Sequence, residues 1–223
     1  MHELKYFSTV MDLEFPNIST FTDSSDLFYI LFGILTIDVI VLFLARNFKI
    51  GGKYLNEWYD NFHILAVISD VFIIFIGFII ARFLYTKFFF NRFGWNVVYF
   101  LLLLVGVQAI HDVLFYLLVI RNVPAGKNDM MDTFKSYADN LGAQIIGGDA
   151  LLMVGSAVVA MLYKMAPFEL SSSVIALVVY ALPYAIYTRN PYSVVEEQPK
   201  KEEKKEAFQD PKLDAYKRMV HVD

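Results

Sequence analysis

The chain contains no cysteine, which excludes disulfide bonds and thiolate metal sites. Its four histidines form neither a His-x-x-x-His nor a His-Glu-x-x-His cluster. The motifs Gly-x-Ser-x-Gly and Gly-Lys-[Ser/Thr] are absent as well. A formal net charge of −4 offers no basic surplus that would indicate nucleic-acid binding. We therefore expect no catalytic residues, no metal ligands, no cofactor and no small-molecule substrate, and we predict that the protein is not an enzyme.

Apolar residues, in contrast, are abundant: 57% of the chain is hydrophobic and 17% is aromatic. Apolar runs of about 20 residues are typical of membrane spans. The sequence predicts five, at residues 27–45, 63–85, 95–120, 145–163 and 171–188. The fifth is short and contains Pro183, so an interfacial or re-entrant segment remains an alternative there. The predicted fold class is all-α, a polytopic membrane protein with four to five transmembrane helices.

The flanking segments differ from this bundle. Residues 1–26 are polar and lack a basic leader followed by an apolar core, so we expect no signal peptide and assign the first span as an uncleaved anchor. The bundle takes up residues 27–190, and a charged tail follows at 191–223. Lys and Arg are more frequent in the first and third loops than on the opposite side. This bias predicts that those loops and the tail face the inner side of the membrane.

An aspartate recurs in apolar runs that end in Arg or Lys, at 35–46, 68–82, 109–121 and 148–164. Because successive spans run in opposite directions, all four acids fall about 6–14 Å below the same, inner, boundary. With one histidine they form a predicted intramembrane polar layer of Asp38, Asp70, His111, Asp112 and Asp149. His111 and Asp112 are adjacent in sequence, so on a helix they point about 100° apart and are expected not to face each other.

This layer has two interpretations. Ionisable groups inside spans often mark a cation or proton pathway, and His111 would be the titrating partner there. The acids would otherwise hold helices together through hydrogen bonds, with some carboxyl groups protonated because lipid disfavours the charged form. Ser69, Gln108 and His111 lie at the right depth to be their partners. We favour the structural interpretation, since no inverted repeat is visible in the sequence.

The third loop predicts a helix at the inner interface. Pro124 and Gly126 end the preceding span, and Asn128 or Asp129 is suited to cap a new helix. The apolar residues that follow recur at helical spacing on one face, which consists of Met130, Phe134, Tyr137 and Leu141. An amphipathic helix at 128–141 is therefore predicted to lie on the bundle or on a partner.

Residues 131–163, MDTFKSYADNLGAQIIGGDALLMVGSAVVAMLY, carry a resemblance to a known family. With the preceding span and its internal His-Asp, they resemble multi-span membrane proteins of nucleocytoplasmic large DNA viruses. Those viruses enclose a lipid membrane within an icosahedral capsid, and some of their minor capsid proteins are embedded in that membrane and tie it to the shell. The resemblance covers about residues 60–165, and its most specific residues are Asp132, Phe134, Lys135, Tyr137, Ala138, Gly142 and Asp149. It implies a role in assembly and assigns no role to any single residue.

The tail is dense in charge of both signs and too polar to fold alone. Its cations are candidate contacts for a protein partner: Lys200, Lys201, Lys204, Lys205, Lys217 and Arg218. We expect a structural membrane protein that anchors a larger assembly, with the lipid bilayer and capsid or other assembly proteins as partners. The resemblance places it in the internal membrane of a virion after insertion in a host membrane. The alternative is a small ion or proton channel or transporter that uses the Asp/His layer.

Overall fold

A computed structural model describes residues 15–48, 50 and 52–189, and the part of the chain that it describes is helical, with no strand. The seven principal helices are α1 (Asp26–Asn47), α2 (Gly52–Phe62), α3 (Ile64–Leu84), α4 (Val97–Leu118), α5 (Asp129–Leu141), α6 (Ala143–Met165) and α7 (Phe168–Tyr187). Helix α3 continues through a π turn, Tyr85–Phe89, and a short helical turn, Phe90–Phe93. A 3-10 turn, Ile120–Asn122, follows α4.

Five of these helices, α1, α3, α4, α6 and α7, are long and apolar enough to cross a membrane. The predicted all-α polytopic fold is confirmed. The fifth candidate reaches this length even with Pro183 inside it, because α7 begins at Phe168, earlier than the predicted limit of the span. The spans alternate in direction, so one end of the bundle gathers the end of α1, the start of α3 and the end of α4. We call it the inner end, after the orientation predicted above.

Helix α1 is the centre of the bundle and packs on α6, α3 and α7. Gly33 allows its closest approach to α6. A Cβ built at Gly33 would lie 2.8 Å from the Ser156 carbonyl oxygen and 2.9 Å from the Ala160 amide nitrogen. These are backbone atoms, so the two helices could not stay this close with a larger residue at position 33. Helix α4 completes the bundle by packing on α6 and α3.

Two amphipathic helices cover the inner end. Helix α5 agrees in position with the helix predicted at 128–141, and its start is capped by the Asn128 side chain, which accepts a hydrogen bond from the Met131 amide. Helix α2 was not predicted: residues 52–62 were assigned to the first loop. Its apolar residues Leu55, Trp58, Tyr59 and Phe62 recur at helical spacing. The helix is only 11 residues long, however, and most of its other residues are polar, so no long apolar run marks it in the sequence.

The junction between α2 and α3 is tight. His63 connects the two helices with φ of 49°, a left-handed conformation that few residues other than glycine adopt. Its ring stacks on Tyr187 at the end of α7, with 5.7 Å between the ring centroids. This sharp turn lets α2 fold back along the inner end and brings its aromatic residues to the start of α3.

At the opposite, outer end, residues 15–25 form a strap across the helices, which includes turns at residues 21–22 and 24–25. The Trp95 indole donates to the Phe15 carbonyl (2.8 Å), and Thr86 donates to the Ser19 carbonyl (3.0 Å). The Phe21 amide donates back to the Thr86 hydroxyl (2.9 Å). The strap therefore ties the end of α3 and the start of α4 together through backbone groups.

Candidate functional site

The four predicted aspartates lie together at the inner end of the bundle. Asp38 is buried, while Asp70, Asp112 and Asp149 are half-buried. Asp70 lies within electrostatic range of Asp38 and of Asp149, and Asp149 lies within range of Asp112. These four residues and His111 are called the inner acidic layer below. Four carboxyl groups in one low-dielectric region repel each other when ionised, so their hydrogen-bond partners decide whether the arrangement is stable.

Two of the acids are bound by side chains of α2. The Tyr59 hydroxyl donates to Asp38 Oδ1 and the Trp58 indole nitrogen donates to Asp70 Oδ2, each at 2.9 Å. Both aromatic residues are buried. Burial raises the pKa of Tyr59 well above its usual value, and the nearby Asp38 and Asp70 carboxyl groups raise it further. Tyr59 therefore stays protonated and remains a donor at physiological pH.

These donors are the functional residues that the sequence interpretation missed. It named Ser69, Gln108 and His111 as partners at the right depth, and only the last two make such contacts. Within residues 15–48, 50 and 52–189, Ser69 makes no hydrogen bond to any of the four acids. The sequence did contain one sign of them, the adjacent residues Trp58 and Tyr59 in a short polar segment. The indole N–H of Trp58 and the hydroxyl of Tyr59 need hydrogen-bond acceptors when these side chains are buried.

Asp112 has two partners on its own helix. The Gln108 side-chain amide donates to Asp112 Oδ1 at 2.7 Å, and His111 Nδ1 lies 3.2 Å from the same oxygen. The expectation that His111 and Asp112 do not face each other was wrong. Their Cβ atoms diverge, but rotation about the His111 side-chain bonds brings its ring over Phe115, at 5.6 Å between centroids, and returns Nδ1 to the carboxyl group.

The Asp112 and Asp149 carboxyl groups lie within interaction range of each other, on α4 and α6. Asp112 Oδ2 is buried and has no conventional donor within the described residues. Two carboxylates at this range would repel, whereas a carboxylic acid and a carboxylate share one proton favourably. The geometry thus fits a carboxyl pair with a shared proton that bridges α4 and α6.

The layer has more acceptors than donors. Asp38 Oδ2 and Gln108 Oε1 are buried, and neither has a hydrogen-bond partner among the described residues. No Lys or Arg in that part of the chain forms a salt bridge with any of the four acids. Arg46, the nearest buried cation in sequence, is bound instead by Asp60 (2.7 Å) and Asn56 (3.2 Å) of the α2 helix. Within the described residues, the N–H and O–H groups that bind the layer belong to the neutral side chains of Trp58, Tyr59 and Gln108.

Over residues 15–48, 50 and 52–189, no group of three or more His, Asp or Glu side chains has suitable geometry to hold a metal ion. The carboxyl and imidazole groups of the layer can form hydrogen bonds between helices and can take up or release protons.

Helix α5 lies next to α2 over this layer. Phe134 contacts Trp58, with 4.8 Å between ring centroids, and Tyr137 contacts Tyr54 at 6.1 Å. Met130, Phe134 and Tyr137 of the predicted interfacial face are half-buried, and Met130 and Phe134 pack against the core. Burial raises the pKa of Tyr137, and the nearby Asp149 and Asp70 raise it further. The side chain of Leu141 lies outside the described residues, as do the tail cations Lys200, Lys201, Lys204, Lys205, Lys217 and Arg218.

A second polar cluster at the outer end was not predicted. The buried Asp26 carboxylate is paired with Lys164 (2.5 Å) and, at longer range, with the buried Arg82 guanidinium (3.6 Å). These three residues are called the outer ion cluster below. Arg82 also donates to the Thr20 and Asp23 carbonyls, and Lys164 donates to the Asn17 carbonyl. In the sequence analysis Arg82 and Lys164 were only the last residues of two apolar runs, because spacing gives no sign of their partner Asp26, which lies at the end of the N-terminal polar segment.

Comparison of the chain with family models, with curated proteins and with solved structures finds no match.

Proposed function

We propose that this protein is a structural membrane anchor, which holds a larger assembly to the bilayer through the inner end of its helical bundle. The observation that carries this proposal is the pair of hydrogen bonds from Trp58 to Asp70 and from Tyr59 to Asp38. They use intramembrane acids to fix an interfacial helix in place. An acid layer devoted to ion passage would not need to be bound by buried aromatic donors of a surface helix.

The two interfacial helices give the anchor a preformed inner surface. Helix α2 is attached through its two donors and through Arg46, which bridges α1 to Asp60. Helix α5 is joined to α2 by the contact between Trp58 and Phe134. A surface whose helices are fixed before binding loses less conformational entropy when a partner docks. Helix α7 also ends at this inner end, at Tyr187.

The resemblance of residues 131–163 to membrane proteins of large DNA viruses favours one kind of assembly. We propose that the partner is a viral capsid shell and that the membrane is the internal membrane of the virion. In this role the protein is a minor capsid protein: the bundle stays in lipid, while α2, α5 and the tail face the shell.

The tail provides the test of the anchor proposal. Cross-linking mass spectrometry on the native source would identify the neighbours of the chain, and deletion of residues 191–223 should leave membrane insertion intact but abolish recovery of those neighbours. A sharper variant replaces the six candidate cations with Gln. Its matched control replaces six tail acids, Glu196, Glu197, Glu202, Glu203, Glu206 and Asp210, with the corresponding amides. Full partner recovery by the deletion variant would refute a role for the tail.

A specific observation supports a second candidate, a small proton channel or transporter. The Asp112 and Asp149 carboxyl groups and the adjacent His111 imidazole lie next to one another inside the predicted span, and residue types of this kind mark proton pathways in membranes. Wild type and the Asp70→Asn and Asp112→Asn variants should be compared in liposomes that contain a pH-sensitive dye. Wild-type proton flux that disappears in both variants would favour the transporter over the anchor. Absence of flux from all three would favour the anchor.

A further inference from the structure

The inner acidic layer has one edge that opens sideways, toward the lipid. The side chains of His111 and Asp112 are 28% and 20% exposed, and the neighbouring Ile110 is 63% exposed on the same helix. His111 lies seven residues before the end of α4, about 10 Å above it, and so lies within the hydrocarbon region. The adjoining start of α6 adds little cover, since Gly147 and Gly148 border open space.

One nitrogen of the His111 imidazole lies at this edge without a hydrogen-bond partner in the described residues. Nδ1 faces Asp112, whereas Nε2 has no hydrogen-bond partner among the residues that the structure describes. When Nδ1 carries the proton and donates to the carboxyl group, Nε2 is an acceptor. A polar atom that faces lipid without a partner costs free energy, and ionisable side chains in spans rarely face lipid alone. The α4 flank therefore has an acceptor that no donor in the described part of the chain meets.

Helix α7 presents a complementary group. Tyr180 and Tyr184 are 66% and 61% exposed, and the Tyr184 hydroxyl donates to the Tyr180 hydroxyl at 3.0 Å. This hydrogen bond occupies an acceptor site on Tyr180 and leaves its own O–H free to donate outward. Leu177, one turn away, is 66% exposed and extends the same face. The α7 flank thus carries an unused donor in the membrane.

Counted back from the inner ends of their helices, both groups lie at a similar depth. Tyr180 is seven residues before the end of α7, and α4 and α7 both run toward the inner end, so Tyr180 and His111 are both about 10 Å above it. They also belong to different flanks: α7 packs chiefly on α1, whereas α4 packs on α6 and α3. One molecule could not join them, but two parallel copies in the same membrane could.

We propose that a second copy of this chain covers the exposed edge, with α7 of one copy packed on α4 of the next and the Tyr180 hydroxyl donating to His111 Nε2. The contact joins two different surfaces, so it can repeat and produce a ring or a row of molecules in the membrane. It does not depend on the anchor function proposed above, although a row of anchors would suit a repeating shell.

The absence of cysteine makes the contact directly testable. Ile110→Cys on α4 and Leu177→Cys on α7 place one thiol on each flank, at depths that differ by about 3 Å. The two variants, distinguished by tags of different size, are reconstituted together at a low protein-to-lipid ratio and oxidised. We expect a disulfide between them in the mixture and none when either variant is reconstituted alone. Leu102→Cys, which is 65% exposed but lies in the outer half of α4, is the control partner for Leu177→Cys and should not cross-link.

Each alternative result would overturn the proposal. Cross-linking of Ile110→Cys alone or of Leu177→Cys alone would indicate a symmetric contact, and absence of cross-linking in the mixture would exclude the contact between α4 and α7. The hydrogen bond is tested by adding Tyr180→Phe, which should lower the cross-linked fraction by roughly threefold, the effect of an average interhelical hydrogen bond in membranes. Tyr187→Phe, on the same helix at its inner end, is the matched control and should leave the yield unchanged. An unchanged yield with Tyr180→Phe would refute the role of its hydroxyl.

Discussion

At the outer end of the bundle one buried carboxylate lies between two cations, whereas at the inner end four carboxyl groups lie together with no cation bonded to them in the described chain. The outer ion cluster is paired charge against charge, and its cations also bind backbone carbonyls of the strap. The inner acidic layer relies on neutral donors from Trp58, Tyr59 and Gln108. Both arrangements remove polar groups from water, but they fail differently when one member is lost.

The difference lies in what remains after a substitution. Loss of Arg82 at the outer end leaves Asp26 paired with Lys164 alone, and it also leaves the Thr20 and Asp23 carbonyls without their charged donor. Loss of a neutral donor at the inner end leaves a carboxyl group that is able to take up a proton, so the defect is limited to a missing hydrogen bond. We therefore expect stability to depend more steeply on the outer ion cluster than on the inner acidic layer.

The largest effect is expected for Arg82→Gln. Arg82 is 1% exposed, and its guanidinium pairs with Asp26 and donates to the Thr20 and Asp23 carbonyls. Its replacement should lower the free energy of unfolding by about 3–5 kcal/mol, because two hydrogen bonds from a charged donor, each worth about 1.5–3 kcal/mol, are lost together with the longer contact to Asp26. SDS titration in mixed micelles measures this change. Arg92→Gln, at an exposed position near the same end, is the matched control and should change it by less than about 0.5 kcal/mol. Equal effects of the two variants would contradict the central place given to the outer ion cluster.

The next effect is expected at Gly33, which lies between the two regions on α1. A Cβ there would meet the backbone of α6 at 2.8 Å, so Gly33→Ala should force α1 and α6 apart. The expected loss of stability is about 1–3 kcal/mol, as for overpacking of a core. Gly106→Ala on α4 is the control, because a Cβ there meets nothing within 4 Å and should be tolerated. If Gly33→Ala were equally well tolerated, the close approach of α1 and α6 would be wrong.

A smaller effect is expected for Tyr59→Phe. This change removes the one donor to Asp38, whose other oxygen already lacks a partner within the described chain. The expected loss is about 1–2 kcal/mol, in the range for an unsatisfied buried group and for strong polar contacts in membranes. Tyr54→Phe, on the same helix but half-buried, should have little effect.

Protease cleavage within α2 should also become faster in Tyr59→Phe alone, since this donor holds the helix in place. Identical cleavage of both variants would refute the attachment of α2 through Asp38.

The spans and the inner acidic layer were accessible from the sequence because both follow from a one-dimensional pattern. Apolar runs of sufficient length predict helices in lipid, and the alternating direction of the spans converts the positions of Asp38, Asp70, Asp112 and Asp149 into one depth. The interfacial helix α5 was visible for the same reason, since Met130, Phe134 and Tyr137 recur at helical spacing.

The hydrogen-bond and ion-pair partners of the acids could not be predicted from the sequence. Each partner depends on a contact between distant residues or on a side-chain rotation, and the spacing of residues along the chain gives no information about either. Tyr59 reaches Asp38 only because the left-handed turn at His63 folds α2 back on the bundle. Asp26 joins Arg82 and Lys164 across more than 50 residues of sequence. The His111–Asp112 contact depends on side-chain rotation, which the angle between helix positions does not describe.

The smallest effect, and the one that best separates charge from hydrogen bonding in the inner acidic layer, is expected at Asp112. Asp112→Asn keeps an acceptor for Gln108 and a donor toward Asp149, so it should change the free energy of unfolding by less than about 0.5 kcal/mol. Asp112→Leu removes both contacts and should cost about 0.5–2 kcal/mol, the range for polar contacts in membranes. The same SDS titration measures both variants. A mild Asn and a costlier Leu would show that the layer holds helices together through hydrogen bonds. If Leu were as stable as wild type, Asp112 would have no structural role, and proton transfer would be the remaining reason for an acid at this depth.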